Sequence, residues 1–161
     1  MYREKHEESY HLDFDCVGID NGGIIPFENT GRGQNRSPEF LLWNLSPRAA
    51  TVAITLEDLS HPIQDFTHWI IWNIPANNRI KGNIPPGKEV PGMKGAKQGL
   101  AYGRHRYAGP KPRRGRTHVY RYSVYVLDCA ITLSPWSTKK AFFKKAGRHI
   151  IQAGSITGEY E

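Results

Sequence analysis

The side chains of this 161-residue chain best suited to chemistry are one carboxylate and three imidazoles: Asp58, His61, His68 and His118. Two histidines and a carboxylate could hold a metal ion. His61 and His68 lack the i, i+4 spacing of a helical ligand pair, and no Cys pair completes a softer set. No metal and no cofactor are therefore expected. The nearest approach to a phosphate loop is Gly82 to Glu89, which has the G-x-x-x-x-G-K spacing. Glu89 stands where Ser or Thr would bind the magnesium ion, and Pro85 and Pro86 remove two of the N–H donors such a loop needs. Pro91 bars a following helix, so this reading is rejected. Cys16 and Cys129 are the only cysteines. Nothing nearby in sequence would activate either, and both read as buried, inert thiols of a reduced chain.

The elements that must position such groups are short strands. The length fits one domain over residues 1–161. With 16 Gly and 11 Pro, the chain holds too many turn formers for a helical bundle. No run of apolar residues is long enough to span a bilayer, so no stable membrane insertion is expected. The opening MYREKHEESYHLDFD lacks the apolar core of a secretory signal, which leads us to expect a cytoplasmic protein.

Residues 1–15 read as an arm or edge strand, Asn21-Gly22-Gly23 as a tight turn and Thr30 to Pro38 as a loop. Phe40 to Leu45 is a short apolar run. In Ala50 to Glu57, Val52, Ile54 and Leu56 alternate with Thr51, Thr55 and Glu57, as a half-buried strand requires. His68 to Ile74 is a second strand, whose period of two places His68 with Ile70, Trp72 and Ile74. His118 to Leu127 is a third, with His118, Tyr120, Tyr122, Val124 and Val126 on one face. Ser137 is the expected cap of a helix over STKKAFFKKA, with Gly147 as its stop. Ile150 to Thr157 reads as a last strand. The long Gly- and Pro-rich stretch 76–116 is the kind of loop that usually carries function.

The formal net charge is +7, and the run from Val90 to Leu127 holds nine Lys or Arg and no acid. Such a balance favours anionic partners. RNA is one alternative, because Tyr102, Tyr107, Tyr120, Tyr122 and Tyr125 interleave with the basic residues. No RNP1-like string accompanies them, and most of these tyrosines fall where a strand would use them for its core. Nucleic acid is therefore not the expected partner.

Four segments resemble a known family. Asp58-Leu-Ser-His-Pro62, His68-Trp69 and Asn73-Ile74-Pro75 together are similar to the first motif block of the phosphatidylethanolamine-binding proteins, D-P-D-x-P followed by H-[WF] and N-[ILM]-P. The stretch from Tyr107 through Gly109-Pro110, Pro112, Gly115 and His118 to Tyr120 resembles the second block, Y-x-G-P-x-P-x-x-G-x-x-H-R-Y. Ser37-Pro38 to Trp43 is similar to the upstream S-P-x-[LF]-x-W element, and Leu127-Asp128 to the strand end of the prokaryotic YbhB/YbcL-like, Raf-kinase-inhibitor-like branch. The chain departs from the pattern at Leu59, Ser60 and Val119, where the family has Pro, Asp and Arg.

The resemblance implies a mainly β, two-sheet antiparallel fold with one or two short helices. It also implies a small pocket for anions, notably phosphate head groups. By position, Asp58, His68 and His118 would line it, Gly109, Pro110 and Pro112 would form its loop wall, and Tyr120 would sit beside it. Two imidazoles could each donate an N–H to a phosphate oxygen, and a carboxylate beside one of them would orient it and favour its charged form. His61, His105 and His149 read as structural. The expected protein is a non-catalytic, homodimeric binder of a phosphate-bearing small molecule or phospholipid head group, regulating a partner in the manner of a kinase or protease inhibitor. The alternative is a hydrolase of a small phosphorylated or acylated substrate, with His118 or His68 as general base and Asp58 as its orienter.

Overall fold

A computed structural model describes residues 9–161. The part of the expected N-terminal arm over residues 1–8 lies outside the described residues. Ten regular elements follow in order. They are β1 (Phe14–Cys16), β2 (Gly23–Ile24), β3 (Phe40–Leu42), β4 (Thr51–Asp58), β5 (Phe66–Pro75), β6 (Arg79–Ile80), β7 (Lys97–Gln98), β8 (His118–Leu127), α1 (Lys139–Ala146) and β9 (Ile150–Tyr160). The larger sheet runs β2-β9-β8-β4-β5-β7 and the smaller runs β1-β3-β6. The mainly β, two-sheet class expected from sequence is thus present. Pairing among the named strands is antiparallel except for β2, which adds to β9 in parallel. The 76–116 stretch is not wholly irregular, since it contributes the short strands β6 and β7.

The alternation in β4 and β8 builds the main core. Val52, Ile54 and Leu56 meet Tyr120, Tyr122, Val124 and Val126, together with Phe40, Leu42 and Ile80 from the smaller sheet. The opposite face of the larger sheet is also covered. Ala53, Ile70, Trp72 and Leu127 pack there against Phe142 and Ala146 of α1. Every residue of β4 is consequently buried, where the sequence pattern had suggested a half-buried strand. Thr51, Thr55 and Glu57 lie under helix and loops rather than in water. Buried Glu57 is matched by two cations, with Arg121 Nη2 at 3.1 Å and Lys139 Nζ at 2.5 Å. Lys139 opens α1, so this ion pair seats the helix on the sheet.

Thr138, not Ser137, caps α1, its hydroxyl accepting the Ala141 N–H. Gly147 stays right-handed and leads into a 3-10 turn over Gly147–His149 rather than stopping the chain in a left-handed conformation.

Two bulges in β5 break its expected period. Val52 pairs with Ile74 and Ile54 with Ile71, which leaves an extra residue near Asn73. Asn73 takes φ of 58°, a left-handed conformation that Asn tolerates better than most residues. Its side chain brackets Ile131, donating to the carbonyl at 2.7 Å and accepting the N–H at 2.9 Å. Ile74 thereby joins the inter-sheet core instead of the face shared by Ile70 and Trp72. The second bulge lies at His68.

Cys16 is buried, as expected, but Cys129 is only partly covered, because it sits in the open turn just past β8. No helix among the described residues is long and apolar enough to cross a membrane.

Candidate anion site

Asp58 ends β4 and His118 begins β8, and register places both near Tyr120, which faces Asp58 across the two strands. His118 Nδ1 lies 2.7 Å from Asp58 Oδ2, a charge-assisted contact that fixes the imidazole plane. The other oxygen of Asp58 accepts the Ser60 N–H at 2.9 Å. The carboxylate side chain is only 4% exposed, and these two donors satisfy it.

His68 arrives by a different route. Leu56 faces Trp69, but Glu57 faces Thr67, so His68 is the extra residue of the second bulge. A straight strand would aim it toward the helix with Ile70 and Trp72. The bulge re-aims it to the side of Tyr120, whose ring it meets edge-on at 5.5 Å. Its Nδ1 donates to the Ala108 carbonyl at 2.9 Å. Burial pulls its pKa below the ordinary imidazole value, against smaller opposing effects of the Ala108 bond and the Asp58 charge. His68 is therefore harder to protonate in the free protein than the sequence reading assumed. Burial, followed by the neighbouring Asp58 charge, pushes the Tyr120 hydroxyl far up, so it keeps its proton.

These groups open on one cavity of about 410 Å³, lined by Asp58, His68, His118, Tyr120 and Pro112. Gly109 and Pro110 stand behind the wall and do not line it. Their part is to hold the loop. Asn35 Oδ1 accepts the Gly109 N–H at 2.6 Å, and Asn35 Nδ2 donates to the Tyr107 carbonyl at 2.9 Å. Tyr107 is anchored in turn through its hydroxyl, which donates to the Asn29 carbonyl at 2.7 Å. A Cβ at position 109 would come within 2.4 Å of that same Asn29 oxygen, so glycine is needed for the close approach. The carbonyl that grips His68 is thus positioned by the Thr30–Pro38 loop.

The cavity also gathers residues the sequence reading did not single out. Lys111, Arg113 and Arg116 line it, while Asp58 is the only acid on its wall among the described residues. Their signal was present as the basic run 90–127, but spacing alone could not say which of its cations face inward. That run divides among surfaces. Arg121 pairs with Glu57 on the far face of the sheet, and Lys97 lies 3.7 Å from Glu89. His61, read as structural, joins the wall and stacks on Phe66 at 3.9 Å, with planes 8° apart. Pro62, Phe66 and Tyr102 complete it. Tyr102 is 65% exposed. Tyr107, Tyr120 and Tyr122 are buried, so they serve the core rather than a stacking surface. His105 Nδ1 donates to the Gln98 carbonyl at 2.9 Å, away from this site.

Comparison with known proteins agrees with this fold. The family model described as phosphatidylethanolamine-binding protein matches residues 18–161. A UPF0098 protein of Pyrococcus abyssi is 38% identical over 143 residues, covering 88% of this chain and 80% of its own. One from Pyrococcus horikoshii is 36% identical over 157 residues, covering 96% of this chain and 79% of its own. The crystal structure of Escherichia coli YbcL, described as a member of the mammalian PEBP family, superposes with a TM-score of 0.80 at 22% identity, over 94% of this chain and 98% of that one. On the strength of the family match, which spans nearly the whole chain, this protein belongs to the phosphatidylethanolamine-binding protein family.

Proposed function

We propose that the chain is a non-catalytic, cytoplasmic protein that binds small phosphate-bearing anions, either free phosphomonoesters or phospholipid head groups, in the Asp58/His68/His118 cavity, and that it regulates a partner protein through that site. Family membership supports a binding-type role. The observation that carries the finer reading is the convergence of two imidazoles with Lys111, Arg113 and Arg116 around one cavity. Nδ1 of each imidazole is held by the protein, His68 by a carbonyl and His118 by a carboxylate. Each Nε2 is left to meet a guest, and on protonation it becomes an N–H donor toward an anionic oxygen. The volume suits a head group and falls within the usual range for small-molecule sites.

Calorimetric titration with inorganic phosphate and with glycerophosphoethanolamine, at pH 6 and pH 8, tests the proposal. Tighter binding at pH 6, weakened in His68→Ala, is expected. Equal, pH-independent affinity in both proteins would overturn it. Turnover of a phosphatase or esterase substrate, lost in Asp58→Asn, would replace it with the hydrolase reading.

A further inference from the structure

The far end of β8 holds a second group of side chains, unrelated to the anion cavity. Asp128 and Cys129 follow β8 directly, and His149 closes the 3-10 turn that feeds β9. Strands β8 and β9 are antiparallel neighbours, with Leu127 paired to Ile150, so the residues just beyond that pair are brought together. The Asp128 N–H donates to the His149 carbonyl at 3.0 Å, locking the two turns. The Thr51 hydroxyl donates to the Cys129 carbonyl at 2.8 Å, fixing the backbone that carries the thiol. One carboxylate oxygen, one sulfur and one ring nitrogen consequently lie within 4.8 Å of one another. Asp128 and His149 already touch, with Nδ1 3.1 Å from Oδ1.

We propose that Asp128, Cys129 and His149 form a binding site for a divalent cation of the Zn²⁺ class. The donor set mixes thiolate, imidazole and carboxylate, which is the mixture that borderline-soft Zn²⁺ takes and that Mg²⁺ or Ca²⁺ does not. Three protein ligands leave a fourth, tetrahedral position to water. Ligands around Zn²⁺ sit roughly 3.5 Å apart, given metal–ligand distances of about 2.0–2.3 Å. The present spacing closes to that value by side-chain rotation. Rotation is open to these groups because His149 and Asp128 have side chains 45% and 37% exposed. On binding, Cys129 gives its thiol proton to water and coordinates as thiolate. The cation takes the place of the His149–Asp128 hydrogen bond: the neutral ring coordinates through Nδ1, and the proton that Nδ1 had donated to Oδ1 passes to Nε2 through solvent. The site lies about 30 Å from the anion cavity, the length of a ten-residue strand, so the two are independent.

The test uses the full chain, freed of metal by chelator and kept reduced with a phosphine. Titration with Co²⁺ should give a thiolate-to-cobalt charge-transfer band that saturates at one equivalent and is erased by Zn²⁺. Cys129→Ser should lose the band. His149→Ala and Asp128→Asn should each weaken binding by more than the roughly 10–100-fold that outer-shell changes cost. Thermal unfolding in chelator should be the same for all four proteins, showing that the variants fold. Absence of the band, or a band that survives in Cys129→Ser, would overturn the proposal.

Discussion

The Ser60 hydroxyl oxygen accepts the Val119 N–H at 2.9 Å, so two positions where the chain departs from the family pattern bond to each other. Through its own N–H, Ser60 also donates to Asp58. One small residue therefore ties the turn after β4 to the first residues of β8, beside His118. Ser60→Ala should cost about 1 kcal/mol in urea unfolding, the usual net worth of one such bond. Ser60→Thr, which keeps the hydroxyl, should not. An equal loss in both variants would show that the hydroxyl is not what matters.

Sulfate, which keeps its charge across the relevant range, should bind more tightly as pH falls. A bound anion stabilises the His68 imidazolium that burial disfavours, so binding takes up a proton. Affinity should then rise by up to about tenfold per pH unit for one coupled proton. His68→Asn keeps a donor for the Ala108 carbonyl but cannot titrate, and it should flatten the profile. A slope unchanged in this variant would assign the proton to another group.

Stability should move with pH in the opposite sense. Because the His68 pKa is lowered from 6.5 in the folded protein, the unfolded chain binds a proton there first. Between the two values the unfolded state carries more protons, so unfolding free energy rises with pH. The contribution is complete above pH 6.5 and is lost as pH falls toward the folded value. His68→Asn should reduce the slope of denaturation midpoint against pH in that window, measured without any anion.

Gly109→Ala would set a methyl 2.4 Å from the Asn29 carbonyl oxygen and 2.9 Å from Thr30 backbone atoms. Overpacking of this kind costs roughly 1–3 kcal/mol. The loop must shift, taking the Ala108 carbonyl away from His68. Sulfate affinity should therefore fall together with stability, although residue 109 does not line the cavity. A stable variant with unchanged affinity would refute this account of the loop.

Phe142 is fully buried and stacks on Trp72, with ring centroids 6.0 Å apart. Phe142→Ala should lose about 3–5 kcal/mol, as for other large aromatic truncations. Its effect on anion affinity should be small, because α1 covers the face of the sheet that the cavity does not use. Chemical denaturation and titration of the same sample separate the two.

Strands were legible where the side-chain period ran unbroken. Val52, Ile54 and Leu56 in β4, and Tyr120 to Val126 in β8, point where their spacing says, because paired strands with a buried face leave no freedom of register. Asp58 and His118 share a cavity partly for this reason, since both lie on the inward face of adjacent strands. His68 and Ile74 escaped the same logic. Each end of β5 is interrupted by a bulge, and an extra residue inverts every position beyond it.

The linear chain by itself determined the fold class, the main strands and the excess of cations, and its family motifs named Asp58, His68 and His118, since alternation, turn formers and motif order are all local properties. Tertiary structure alone decided which cations of the 90–127 run turn inward, why Gly109 must lack a side chain, and that Asp128, Cys129 and His149 converge. Those outcomes depend on contacts between segments remote in sequence, where bulges, loop clamps and strand ends set direction and no periodic pattern encodes it.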